Sequence, residues 1–98
     1  MQSTEIKTES PKLNLTVEVI NKIQREFELP YYGKYSDSNY MMIDENENII
    51  DVSLYDFNTG IEIASIDYKR ISIVKTTACS KEEFDTAKEL VKAKINAL

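Results

Sequence analysis

The chain has 98 residues, a net charge of −5 and no histidine. This length corresponds to one domain with one hydrophobic core. The negative charge argues against direct binding to nucleic acid or to an anionic membrane, because both need clustered lysine and arginine. The sequence contains no long apolar run, no signal-peptide pattern and a single cysteine, Cys79, so we expect a cytosolic protein.

The N-terminal part is predicted to contain an arm and a helix. Residues 1–12 are polar, and we expect them to form a flexible arm ahead of a single α+β domain at residues 13–98. After the arm, apolar residues alternate with polar ones as in a strand, but others recur at helical spacing over a longer stretch. The helical set is Val17, Ile20, Ile23 and Phe27. The longer pattern favours a helix over residues 17–28, ended by Pro30.

A four-stranded antiparallel meander is predicted next, because short strand-like runs alternate with turn residues. Its strands are predicted at residues 40–44, 49–56, 61–67 and 71–76. Gly60 is expected to take a left-handed conformation in a tight hairpin turn. The apolar positions change phase within the third strand, which indicates a bulge or a strand buried on both faces.

The C-terminal segment has the strongest local pattern. Ser80 and Glu83 have the spacing of a capping box, while Cys79 and Phe84 hold the positions of a hydrophobic staple. An apolar stripe at helical spacing follows. The predicted fold class is therefore α+β: an N-terminal helix, a four-stranded antiparallel β-meander and a C-terminal helix, with both helices on one face of the sheet.

Few residues are suited to catalysis. Without histidine, the commonest general base and metal ligand is missing. Cys79 precedes a helix, where a thiol can become reactive, but a small apolar residue in a staple is the simpler interpretation. Residues 44–48 alternate oxygen ligands as a calcium loop does, yet they lack its glycine and its final glutamate and indicate a hairpin turn. We expect a non-catalytic protein without metal or cofactor.

Tyrosine is concentrated between the predicted helix and the meander. The cluster consists of Tyr31, Tyr32, Tyr35 and Tyr40. Such residues pack well at the edge of a sheet with the hydroxyl in water, and they are also common in binding surfaces. Both interpretations stay open from the sequence.

Acidic residues are distributed unevenly along the chain. Residues 35–68 hold eight acids and no lysine or arginine. The predicted strands turn Asp51 and Glu62 away from the helices, which indicates an acidic face that attracts a basic protein partner. The predicted contact residues are Asp44, Glu45, Glu47, Asp51, Asp56 and Glu62, with Tyr55 as an aromatic anchor. The alternative is a solvated face whose charges protect edge strands from aggregation.

No motif identifies a family. The general character, small, acidic and glycine-poor with helices around a β-meander, is similar to that of proteins with which phages and mobile elements inhibit host nucleic-acid-handling enzymes, including anti-CRISPR proteins and DNA mimics. This likeness implies an inhibitor that docks on a basic protein surface, with no direct contact to nucleic acid or membrane. The alternative is a structural or assembly protein, either a homo-oligomer or a virion component.

Overall fold

The computed structural model describes residues 11–18, 22–55 and 58–97, without the side chains of Tyr55 and Asn58. Residues 1–10 of the predicted arm therefore lie outside the description. The described elements, in chain order, are β1 (Lys12–Glu18), β2 (Lys22–Glu28), β3 (Tyr31–Ser36), β4 (Asn39–Ile43), β5 (Ile49–Tyr55), β6 (Asn58–Ala64), α1 (Ile66–Ile73), β7 (Thr77–Ala78) and α2 (Lys81–Asn96).

The fold has three layers, and the middle layer is a five-stranded sheet. Strands β1 and β2 pair as an antiparallel hairpin, and the other five form an antiparallel sheet in the order β6-β5-β4-β3-β7. Helix α2 covers one face, where Phe84 packs with Val52 of β5. The hairpin and α1 cover the other face, where Ile73 packs with Met41 of β4. Alternate side chains of each central strand thus enter two separate cores.

The predicted N-terminal helix over residues 17–28 is wrong, because its described residues, 17–18 and 22–28, lie in the paired strands β1 and β2. The side chains that face the core alternate along β2 and are Ile23, Arg25 and Phe27. Arginine at the middle position hides the strand pattern, since a charged residue is normally assigned to the solvent side. The helical spacing of apolar residues was therefore accidental.

The predicted fourth strand at residues 71–76 is also wrong. Helix α1 ends at Ile73, and the strand at residues 61–67 ends at Ala64. The hydroxyl of Ser65 accepts the backbone N–H of Tyr68 and caps α1. The phase change, interpreted as a bulge or a strand buried on both faces, marks a change from strand to helix. Gly60 has no positive φ and lies within β6, so the predicted left-handed turn is also incorrect.

The two helices do not share one face of the sheet, contrary to the prediction. The short strand β7 follows α1 and pairs with Gly33 and Lys34 at the β3 edge. The chain thereby passes around that edge before α2 begins. The C-terminal helix itself is confirmed: Ser80 accepts the N–H of Glu83 at 3.0 Å. No helix among the described residues is long and apolar enough to cross a membrane.

Arg25 joins three separate segments inside the layer that contains α1. Its Nη1 donates to the carbonyl oxygens of Thr76 at 2.7 Å and Val74 at 3.3 Å, just beyond α1. Its Nη2 donates to the hydroxyl of Tyr31 at 3.0 Å. The guanidinium also lies 4.6 Å from the ring centroid of Phe27. The charge is thus held by carbonyl dipoles and aromatic faces.

Tyr31 occupies the space above Gly33 on the same face of β3. A Cβ at Gly33 would lie 2.7 Å from Cε2 of Tyr31. The ring has little freedom to move, because it packs edge-on against Phe27 and its hydroxyl bonds to Arg25 and Thr76. Glycine at position 33 is therefore a packing requirement of the Arg25 network.

Replacing Arg25 with methionine is expected to lower the free energy of unfolding by about 3 kcal/mol, because it leaves buried carbonyl and hydroxyl groups without their donor. Gln24→Met is the matched control, since Gln24 is the exposed neighbour in the same strand, and it should change stability by less than about 0.5 kcal/mol. Urea unfolding followed by circular dichroism measures both. Equal effects of the two substitutions would contradict the assigned role of Arg25.

Candidate functional site at the sheet edge

The predicted acidic residues lie in three places rather than on one continuous face. Asp44, Glu45 and Glu47 belong to the β4–β5 turn at one end of the sheet. Asp51 of β5 and Glu62 of the edge strand β6 form a cross-strand pair on the face that α1 partly covers, rather than on the helix-free face that was predicted. Tyr55 is the last residue of β5, at the end opposite that turn, and Asp56 lies outside the described residues.

Three of the acids in residues 35–68 pair with cations from outside the acidic part of the sequence. Lys34 lies 3.7 Å from Asp37, Arg70 lies 3.0 Å from Asp67, and Lys69 lies 3.2 Å from Asp51. The first two pairs are exposed and contribute little stability. The three pairs nevertheless bring lysine and arginine next to acids of residues 35–68. The negative charge is therefore less concentrated in the structure than along the sequence.

Asp44 uses its carboxylate to hold the β4–β5 turn. Oδ1 accepts the backbone N–H groups of Asn46 at 2.9 Å and Asn48 at 2.8 Å. The bond from Asn48 is the main cause of a pKa below the usual value for this carboxyl. Glu47 closes the turn with φ of 67°, a conformation that glycine adopts more easily. The predicted hairpin turn is confirmed.

A buried polar network lies beneath α1. The hydroxyl of Tyr35 donates to Oδ1 of Asp51 at 3.0 Å. Only 14% of the Asp51 side chain is exposed, and its buried Oδ2 receives no hydrogen bond within the described part of the chain. Lys69 Nζ lies 3.2 Å from Oδ2 as an ion pair, without hydrogen-bond alignment. Asp51 therefore has one carboxylate oxygen whose hydrogen-bonding capacity is unused.

Burial raises the pKa of the Tyr35 phenol above its usual value, and the nearby Asp51 carboxylate adds to this effect. The phenol consequently stays protonated at neutral pH. A protonated phenol that donates to Asp51 holds this carboxylate in place as a structural hydrogen-bond donor.

Beside this network a polar cleft of about 380 Å³ opens on the same face of the sheet. Gly60 and Ser53 belong to its floor, while Tyr35 and Lys69 stand at its sides. A methyl group at Gly60 would meet no atom within 4 Å. The cleft therefore lies between Lys69 of α1 and Gly60, a strand residue that has no side chain to fill the space.

The outer edge of β6 borders the cleft and has unused backbone hydrogen-bonding groups. The backbone N–H of Leu54 donates to the carbonyl oxygen of Ser38 on the β4 side. Backbone groups of even-numbered β5 residues therefore form hydrogen bonds with β4, and those of odd-numbered residues with β6. The register then leaves Ile61 and Ile63 with their N–H and C=O groups directed outward. Among the described residues, no strand pairs with this edge.

The side chains along this edge differ between the two faces of the sheet. Ile61 and Ile63 share the α2 face, and Ile63 is 79% exposed. Glu62 lies on the other face, next to Tyr68 of α1, which is 84% exposed. We define the edge site as Gly60 to Ile63 together with the polar cleft.

The sequence prediction named Glu62 and Asp51 but not Lys69 or Gly60 as residues of the site. Lys69 and Tyr68 fell between the strands predicted at residues 61–67 and 71–76, since α1 was not predicted, and Gly60 was assigned to a turn. The Ser65 cap followed by Asp67 in the first helical turn was a usable signal for α1. The cleft had no comparable signal, because it depends on how α1 crosses the sheet.

Cys79 has the character of a packed residue. Burial, with a smaller effect of the Glu83 carboxylate, raises the pKa of its thiol and so disfavours the reactive thiolate. The side chain packs against the Phe84 cluster, as a staple residue does. No group of three or more potential metal ligands occurs in the described ranges.

Glu47→Gly is expected to raise the free energy of unfolding by about 0.5 kcal/mol, because relief of the left-handed strain exceeds the entropic cost of glycine. Glu45→Gly removes the same charge from the same turn but relieves no positive φ, so it should lower stability by a similar amount. Urea denaturation distinguishes the two signs. A loss of stability in both variants would show that φ at residue 47 carries no strain.

Stability is expected to decline as pH rises above 10.0, the usual pKa of a tyrosine, because the unfolded chain then releases a proton that folded Tyr35 retains. Below that pH, the stability that comes from the raised pKa of Tyr35 is fully present. Tyr35→Phe should lose about 1 kcal/mol at neutral pH and show a shallower alkaline decline. Tyr68→Phe, which removes an exposed phenol, should keep the wild-type decline. Denaturant titrations at several pH values test this, and parallel curves for all three proteins would contradict it.

Comparison of the chain with models of known families, with curated proteins and with solved structures finds no match.

Proposed function

We propose that the chain is a non-catalytic protein-binding module that takes an extended, basic segment of a partner protein onto the outer edge of β6. The observation that carries the proposal is the outward direction of the backbone groups of Ile61 and Ile63 on an edge strand of seven residues. Addition of a strand to such an edge is a common mode of peptide recognition, in which backbone bonds supply affinity and alternate side chains supply specificity.

The side chains of β6 favour an added strand that is apolar on one face and basic on the other. Ile61 and Ile63 favour apolar residues on the α2 side of an added strand. Glu62 favours a lysine or arginine on the other side, where the exposed ring of Tyr68 can also contact a cation. Among the described residues, Glu62 forms no ion pair. The overall charge of −5 also favours capture of a basic partner.

A basic surface on a nucleic-acid-handling protein is the partner class that this charge supports, in line with an inhibitor of the phage or mobile-element type. Edge docking is better supported than mimicry of a phosphate backbone. Mimicry needs carboxylates in a regular row, whereas Glu62 and the Asp44–Glu47 turn lie at separate places on the sheet.

Assembly of the chain with itself is the second candidate function. Two copies of β6 related by a two-fold axis at Ile61 would place Glu62 opposite Gly60 of the other copy, so that no like charges meet directly. The exposed apolar residues Ile61 and Ile63 favour this pairing as well.

The test uses a seven-residue peptide of alternating valine and lysine, which matches the length of β6. Ile63→Pro removes an outward N–H that the sheet does not use, so the fold should remain intact by circular dichroism. We expect this variant to bind the peptide at least about tenfold more weakly than wild type. Ile63→Val retains the N–H and the branched side chain and should bind normally.

Two outcomes would contradict the proposal. The first is equal binding by Ile63→Pro and wild type. The second is a wild-type protein that ignores the peptide but forms dimers by analytical ultracentrifugation, with dimers lost in Ile63→Pro. That second result would support the assembly function instead. A peptide with glutamate in place of lysine should bind poorly if Glu62 contributes as proposed.

A further inference from the structure

We infer that the polar cleft is a binding site for one arginine side chain of the partner strand, placed beside Gly60. This inference rests on the proposed function, because the added strand on β6 delivers the side chain. It goes further by assigning the cleft a ligand, the guanidinium group, and by predicting a residue type at one position of the partner.

The position follows from the register of the sheet. Gly60 and Glu62 lie on the same face of β6, since they pair with Ser53 and Asp51 of β5. A partner residue beside Gly60 lies on that face too. Because Gly60 has no side chain, nothing separates this partner residue from the cleft. The partner backbone would lie two strand spacings, about 10 Å, from β5, so only a long side chain reaches Asp51 and Ser53.

The chemistry of the cleft favours a group that only donates hydrogen bonds. Ser53 already donates its hydroxyl proton to Asn39 Oδ1 at 2.7 Å, which leaves its oxygen as an acceptor. Asp51 and Glu62 add carboxylate oxygens, and Tyr35 has committed its only proton to Asp51. These four side chains therefore present acceptor oxygens to an incoming ligand. Guanidinium carries five donors and no acceptor, which complements these oxygens.

Charge supports the same ligand. The cleft holds two carboxylates, Asp51 and Glu62, against the single ammonium of Lys69. Lys69 is drawn toward Asp51 and the ring of Tyr35, 5.7 Å from its centroid. One incoming cation therefore neutralises the cleft. After a small displacement of Lys69, it can donate the hydrogen bond that Asp51 Oδ2, although ion-paired with Lys69, does not receive. Arginine suits a desolvated site better than lysine because it is more weakly hydrated.

The experiment compares two seven-residue peptides of otherwise identical valine–lysine sequence. One has arginine at the position beside Gly60, and the other has citrulline, which has the same shape without the charge. Wild-type protein should bind the arginine peptide about tenfold more tightly, as measured by fluorescence anisotropy. Gly60→Leu places a side chain in the cleft, where a Cβ meets no atom within 4 Å. This variant should bind both peptides equally.

Two controls separate this inference from the proposed function. Glu45→Gln removes one exposed negative charge from the turn and should keep the arginine preference. Glu62→Gln should reduce the preference, and it supplies the comparison if Gly60→Leu does not fold. Equal wild-type affinity for the two peptides, with binding still lost in Ile63→Pro, would overturn the arginine site alone. Binding that survives Ile63→Pro would overturn edge docking and the arginine site together.

Discussion

The fold depends on the placement of one guanidinium inside a largely apolar layer. Arg25 is the only contact point at which the β1–β2 hairpin, β3 and the segment after α1 meet through hydrogen bonds in the described structure. It joins the hairpin and β3 to the residues that follow α1. Within α1, Lys69 lies 3.2 Å from Asp51, whereas a Cβ at Gly60 would meet no atom within 4 Å. The polar cleft lies on the same face of the sheet as this network and is lined by Lys69 of α1.

The parts of the fold that sequence could predict are those with purely local signals. The C-terminal helix begins at a serine cap and continues as an apolar stripe, and the β4–β5 turn is held by an aspartate that bonds to its own neighbours. The hairpin could not be distinguished from a helix, because Arg25 occupies an inward position that ordinary patterning assigns to solvent. Tertiary hydrogen bonds decide that case, and no window of sequence contains them.

The charge around the candidate site also could not be predicted from the sequence alone. Counting acids along the chain identified Glu62 and Asp51, but the bases that neutralise part of the acidic segment come from residues that are distant or differently folded, such as Lys69 of α1. A run of like charge describes a surface only after the topology is known. In the structure, the acids do not form one broad face, and the edge strand β6 carries a single acid, Glu62, between Ile61 and Ile63.

The short strand β7 makes the two edges of the central sheet unequal. It pairs with Gly33 and Lys34, and the backbone N–H of Cys79 donates to the carbonyl oxygen of Tyr32. The middle of the β3 edge is therefore already occupied. A sheet with one occupied and one available edge can be extended on a single side. If two chains join through β6, each uses its available edge on the other, and growth stops at a pair. In such a pair, β7 would keep a further strand from adding at Gly33 and Lys34 and so would oppose growth into fibres.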